Sequence, residues 1–401
     1  MNETTAFAGV SSDGLAGVHA RIAPRFRRRE ARERARRYLE GLLGRSERKN
    51  GWQLAEALGE GGPQGMQRLL NAADWDAEAV RDDLQAYVLE HLSDERSGVL
   101  VIDETGFLKK GTKSAGVARQ YSGTAGRREN QQIGVFLLYA SARGAAFIDR
   151  ALYLPDEWLG DAARWEEAHI PEPVGFATKG ELARDLLARA FAAGVPARWV
   201  VGDTVSSGDE VRRWLEGQGR SYVLAVPSTH GIWTRAHQVA VERLVEQLSA
   251  DAWVRLSAGA GSQGPRWYDW ACLRLPYATA AGKGQWLLAR RSVSDPSELA
   301  YYRVFGPAET PVGELVRVAG RRGTIEEGFE QTKGEVGLDE YQVRRYDAWY
   351  RHSTLALLAH AYLEVTRLSA RAAAPTALDT AAQGAQDRDR AGGDLLPTRQ
   401  S

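Results

Sequence analysis

A chain of 401 residues, 43% hydrophobic and 26% charged, is long enough for two or three structural units around a sizeable core. Its longest apolar run, near residues 135–140, is strand-sized, which excludes a membrane-spanning helix, and the first twenty residues carry no secretory signal, so a cytoplasmic protein is expected. A single cysteine, Cys272, and seven scattered histidines exclude a disulfide framework and a zinc site, leaving oxygen ligands for any metal and hence magnesium, with manganese as substitute.

Net charge is zero, but residues 21–50 hold twelve Arg or Lys against four Glu. Two readings stand side by side: a surface that neutralises phosphates, and a solvated helix laced with Glu–Arg pairs.

In chain order, residues 1–19 lack periodicity and predict a disordered start. Apolar spacings of three and four predict helices over 28–43, 52–58, 63–72 and 76–92, so 20–95 reads as an all-α N-terminal domain and a candidate DNA-binding unit. Short apolar runs at 98–103, 133–140 and 146–153 then predict three strands in an antiparallel meander. A helix over 181–193, a strand over 198–203, a helix over 209–216 and a strand over 221–226 form a β-α-β crossover, so this part of the sheet is expected to be parallel. That order is the RNase H order: an α/β fold with a mixed sheet flanked by helices, in two parts over 96–229 and 296–370. Residues 230–295, rich in strands and tryptophan, read as a β-rich insertion before the last helices, and 371–401 as a disordered tail. A Gly-x-Gly-x-x-Gly match over 259–264 is followed by Pro265 and a strand-like stretch, which points to a hairpin turn and not a dinucleotide loop.

Asp103 closes the run Gly-Val-Leu-Val-Ile-Asp, and Asp203 closes Arg-Trp-Val-Val-Gly-Asp. One Asp after an apolar strand is ordinarily a cap or turn residue. Two, on the first and fourth strands, point to carboxylates aimed together by rigid elements, as phosphodiester cleavage with two metal ions requires. A third acid is expected from a helix after the insertion. There Thr324 and Glu327 fit a capping box, so the helix is predicted to begin near Ile325, with Glu326, Glu330 and Lys333 on one face. A solvated Glu–Lys face fits the same local pattern.

The stretches at 101–141, 148–158 and 337–363 resemble the DDE transposases of bacterial insertion sequences, specifically the insertion sequence 701 group. The resemblance runs from about Arg36 to Leu368. It is most specific at Asp103-Glu104-Thr105-Gly106, at Lys109-Lys110-Gly111, and over 118–123. In the related insertion sequence 4 group the last acid lies in Tyr-x2-Arg-x3-Glu-x6-Lys, and Arg322, Glu326 and Lys333 stand at those spacings. The resemblance therefore selects Glu326 over Glu327 and Glu330. The chain departs from the pattern at Ala319, in the Tyr position, at Gly323, where a Trp is expected, and at Ser207-Gly208, where a Tyr-Gly pair is usual.

The resemblance implies a transposase that binds terminal inverted repeats of double-stranded DNA, cuts each end and joins the freed 3′-hydroxyl to target DNA, as a homodimer on DNA. It implies Asp103, Asp203 and Glu326 as ligands of the magnesium ions, and Arg322 and Lys333 as phosphate contacts. Lys109, Lys110, Arg119, Arg127 and Arg128, between Gly-rich turns after the first catalytic strand, have a composition suited to tracking a DNA backbone, or form an exposed basic hairpin. A nuclease without strand transfer and a DNA-binding descendant without activity are the rival functions.

Overall fold

The computed structural model describes residues 12–122, 126–204, 208–234, 237–261 and 264–373. Five helices come first: α1 (Ser12–Ile22), α2 (Arg29–Leu43), α3 (Gly51–Ala57), α4 (Gln64–Asn71) and α5 (Ala77–Leu92). Short polar side chains set two of their starts. The Asn50 carbonyl oxygen accepts from the Trp52 and Gln53 amides at α3, and Asp76 accepts from the Glu78 and Ala79 amides at α5.

The disordered start expected over 1–19 is corrected from Ser12 onward. Leu15, Val18 and Ile22, three and four residues apart, are buried along α1, and Arg21 pairs with Glu90 of α5. Only three large apolar residues mark this helix among small ones, so composition hid it. Residues 1–11 lie outside the described residues.

The sheet is built from β1 (Val99–Leu108), β2 (Ala118–Ser122), β3 (Arg127–Ala140) and β4 (Ala145–Tyr153), followed by α6 (Ala162–Glu167), α7 (Lys179–Ala192), β5 (Trp199–Gly202), α8 (Asp209–Gly217) and β6 (Ser221–Val226). Strands β1, β3 and β4 pair antiparallel, whereas β1–β5 and β5–β6 are parallel, as the crossover demands. The resulting order β4-β3-β1-β5-β6 gives a large mixed sheet flanked by helices, compatible with an RNase H-like fold. Helix α7 starts earlier than expected because Thr178 and Glu181 form a reciprocal capping box.

Next come β7 (Gly231–Trp233), β8 (Gln238–Ala240), α9 (Val241–Glu246), β9 (Val254–Gly261), β10 (Gly264–Arg274), β11 (Lys283–Ser292) and β12 (Leu299–Pro307). The small β7–β8 pair stands apart. The other four strands do not form a sheet of their own. β12 pairs antiparallel with β6, and β11, β10 and β9 follow outward, so the β-rich stretch prolongs the main sheet. Gly261 opposes Gly264 at the β9–β10 turn, the hairpin expected in place of a dinucleotide loop. Of its tryptophans Trp270 and Trp286 are buried, while Trp233 and Trp267 are exposed.

Helices α10 (Val312–Gly320), α11 (Arg322–Val336) and α12 (Tyr346–Ala373) close the fold. The predicted start of α11 at Ile325 is corrected. Arg321 keeps helical angles, so α10 runs almost directly into α11 and Thr324 lies inside the helix rather than capping it. Gly337, at φ +64°, ends α11 in the left-handed conformation that glycine adopts without strain. Helix α12 is buried on nearly every side from Ala348 to Leu363. It packs on α2, α4, α5, α11 and β4, so the N-terminal helices and the sheet share one core. It reaches Ala373, three residues into the expected tail; residues 374–401 lie outside the described residues. Among the described residues no helix is long and apolar enough to cross a membrane.

Helix α10 meets the extension at Gly320, where an added Cβ would stand 1.8 Å from the Ala258 carbonyl oxygen on β9. That oxygen is backbone and cannot swing aside. Gly320→Ala is therefore expected to destabilise the protein by about 2–4 kcal/mol, read as a lowered melting temperature. An unchanged melting temperature would show that β9 does not seat on α10 in this way.

Candidate active site

Parallel pairing places the first two carboxylates. In the β1–β5 register Ile102 opposes Gly202, so the next residues, Asp103 and Asp203, stand side by side as β5 ends. Asp103 is not the last residue of its strand, as its sequence suggested. β1 continues to Leu108 against β3, which holds the backbone on both sides of Asp103 in a ladder. The Asp103 side chain is buried, and its Oδ1 accepts from the Glu104 amide at 2.8 Å. Burial and the neighbouring Asp203 charge push its pKa up from 3.8 to about 7, against the smaller opposing pull of Arg322. Two like charges are thus held together where water is scarce.

Glu104 points from the other face of β1. Burial raises its pKa, Lys179 pulls it back through a 2.5 Å ion pair, and Asp203 again opposes ionisation. Its Oε2 is buried without a hydrogen-bond partner. Lys179 is the first residue of α7, so the Thr178–Glu181 capping box also sets where this cation meets β1. Neither Glu104 nor Lys179 was singled out from the sequence. The Asp103-Glu104 pair carried the signal for the first; no local pattern marks the second.

Helix α11 packs against β1 and delivers three residues at offsets of four and seven. Arg322 lies close enough to Asp103 to favour its ionised form, and its guanidinium is 3.4 Å from the Glu326 carboxylate. Glu326 itself is exposed, its side chain retaining 61% of its accessible surface. Lys333 reaches β1, donating to Thr105 Oγ1 at 2.8 Å and to the Gly106 carbonyl at 3.2 Å, and its burial lowers its pKa. Asp103, Asp203, Arg322 and Lys333 therefore border one region. Among the described residues no group of three His, Cys, Asp or Glu side chains is close enough to hold a metal ion, so the Glu326 carboxylate does not join the aspartates here.

The donor chemistry suits a hard divalent cation. The carboxylate oxygens of Asp103 and Asp203 repel one another, and a cation between them would replace repulsion by attraction.

The basic residues after β1 separate. Lys109 turns inward: its ammonium lies 3.4 Å from the Tyr341 ring centroid, and burial pushes its pKa down to about 7. Lys110 is exposed. Arg119 and Arg128 share one face of the β2–β3 hairpin with the exposed Tyr121, whereas Arg127 lies on the opposite face and pairs with Glu129. In the N-terminal helices Arg25 pairs with Asp83, Arg27 with Asp74, and Arg34 and Arg37 with Glu60, which neutralises part of the local positive excess. Ala319 is buried in α10. Gly323 lies against the Arg266 guanidinium, and Ser207 lies outside the described residues.

A family model described as DDE superfamily endonuclease matches residues 21–247, more than half of the chain. That span contains Asp103 and Asp203, and Glu326 lies beyond it. The chain is also 26% identical over 316 residues to the probable transposase for insertion sequence element IS701 of Microchaete diplosiphon, covering 76% of this chain and 75% of that protein.

The raised pKa of Asp103 fixes a sign. Between pH 3.8 and about 7 the folded state binds a proton that the unfolded state has lost, so Asp103 lowers stability as pH rises through this window. In metal-free protein, Asp103→Asn is expected to melt higher than the parent at pH 8, with the gap closing as pH falls toward 4. A gap independent of pH would remove the buried, repelled carboxylate from this account.

Proposed function

The chain belongs to the DDE superfamily endonucleases, and from this we propose that it is a DNA transposase that cuts transposon ends and joins the freed 3′-hydroxyl to target DNA. The observation that carries the reading is the adjacent register of Asp103 and Asp203, the residues that follow the parallel pairing of β1 with β5, with Asp103 buried and repelled by its neighbour. The similarity to the probable transposase for insertion sequence element IS701 supports strand transfer over hydrolysis alone.

In this reading Asp103, Asp203 and Glu326 hold the divalent ions, magnesium in the cell with manganese able to substitute. Bound there, the ions activate the attacking water or hydroxyl and stabilise the leaving oxygen. The protein's own groups position the strand. Arg322, beside Asp103, offers a fork suited to two phosphate oxygens, and Lys333, anchored by Thr105 and Gly106, offers a point charge about three turns further along α11. Glu326 leaves Arg322 and turns toward the aspartates when the ions and DNA bind. Arg119 and Arg128, on the exposed face of the β2–β3 hairpin, extend the contact along duplex DNA. A homodimer would hold the two transposon ends.

Purified protein incubated with magnesium and duplex DNA carrying the element's inverted repeats is expected to cut and join the ends. Asp103→Asn, Asp203→Asn and Glu326→Gln should each retain DNA binding and lose cleavage by more than the roughly 10–100-fold typical of an outer-shell metal neighbour. Unimpaired cleavage in Glu326→Gln together with loss in Glu330→Gln would move the third ligand. Cleavage without joining would assign a nuclease, and binding without cleavage an inactive DNA-binding descendant.

A further inference from the structure

The opposite end of the same strands carries a second basic feature. Val99 and Trp199 open β1 and β5, four residues before the aspartate pair, and they line a cavity of about 600 Å³ between the β3–β4 turn, β9 and the α10–α11 junction. Four residues of extended strand span roughly 13 Å, so this cavity is separate from the carboxylate site. Six arginines and two glutamates line it.

Three of the arginines crowd together. Arg321 is half-buried, and burial, then the charges of Arg266 and Arg317, disfavour its protonated form. Arg266 donates to the Gly320 carbonyl at 3.0 Å, but its Nε is buried with no hydrogen-bond partner. Arg317 uses its Nε on the Gly313 carbonyl of its own helix. Among the described residues none of the three forms an ion pair, and the nearest pair on α11, Arg322 with Glu326, belongs to the catalytic side. Of the two glutamates, Glu314 accepts from the Trp199 indole at 3.3 Å and Glu327 is exposed. Guanidinium groups that outnumber the nearby carboxylates and make no ion pair with them, one with an unmade hydrogen bond, are stabilised by an anion that can take several N–H donors at once.

We propose that this cavity binds a backbone phosphodiester of duplex DNA, at a second contact remote from the cut. The inference rests on the DNA-processing reading above. Phosphate is favoured over a carboxylate because its oxygens can satisfy guanidinium groups arriving from β10 and α10 together, and the arginines at the rim, Arg143 among them, would follow the strand outward.

The test is duplex binding by the full-length protein, followed by fluorescence anisotropy across salt concentrations. Arg317→Gln/Arg321→Gln is expected to weaken binding about fivefold to tenfold and to lower the slope of log affinity against log salt by about 1–2. Arg317→Glu, at an exposed position, should act in the same direction if the double variant fails to fold. Wild-type affinity and slope in variants with unchanged melting temperature would overturn the inference while leaving the transposase reading intact. Failure of the wild-type protein to bind duplex DNA would instead overturn that reading and this one with it. Inorganic phosphate supplies the last arm: stabilisation of the wild type by millimolar phosphate, lost in the variant while duplex binding stays the same, would assign the cavity to a small free anion and overturn its assignment to DNA.

Discussion

Two carboxylates held side by side against their own repulsion are the constraint around which this molecule is organised. Nothing in Asp103 or Asp203 favours the arrangement; the hydrogen-bond ladder between β1 and β5 imposes it, because Ile102 and Gly202 are in register and the next residue of each strand is acidic. The ladder can impose it because it is stiff on both sides. Val99 to Leu108 pairs residue for residue with Leu108's partner Gln131 through to Ala140 on β3, and β5 is backed by β6. A carboxylate pair on a loop would relax apart; on paired strands its repulsion persists and favours a bound cation.

That stiffness draws on the core beneath. Phe136 meets Phe329 edge to face, and Trp349 against Phe136 and Phe147 against Phe329 pack at a tilt, joining β3, β4, α11 and α12 in one aromatic cluster. Helix α12 carries the same core to the N-terminal helices, where the Tyr38 hydroxyl and the His352 Nδ1 lie 2.9 Å apart. His352 and His360 are wholly buried, which pushes their pKa values down to about 4 and about 3 and keeps both rings neutral at physiological pH. Neither ring adds charge to the seam between the helical layer and the sheet.

Much of this was legible because it repeats in the sequence. Periodic apolar spacing marked α2 to α5, and apolar runs ending in aspartate marked β1 and β5, whereas the parallel pairing that sets the two aspartates side by side is seen only in the fold. What escaped had no periodic signal or depended on distant partners. The polar second half of β1 and the short β2 are strands only because β3 pairs with both, and Gln131, with its side chain donating to the Tyr121 carbonyl, fills the space beside Gly106. Lys109 sits in a basic run that reads as surface, yet Tyr341, more than two hundred residues later, supplies a ring that draws its ammonium inward. At α11 a capping pattern was present at Thr324 but unused, because α10 already supplied the preceding turn.

The α10–α11 junction is where packing sets the position of Glu326. Gly320 lets the β9 backbone press against the end of α10, and Gly323 leaves room for the Arg266 guanidinium, so the outer strands of the sheet support the start of the helix that carries Glu326. From that base Arg322 is directed toward Asp103, and Lys333 is tied to Thr105 and Gly106, fixing both ends of the helix relative to β1. Between those ties the exposed Glu326 side chain makes an ion pair with Arg322 of the kind that contributes little to stability. A helix tied at both ends thus carries Glu326 exposed and paired with Arg322, while the ladder of β1 and β5 holds the two aspartates on the neighbouring strands.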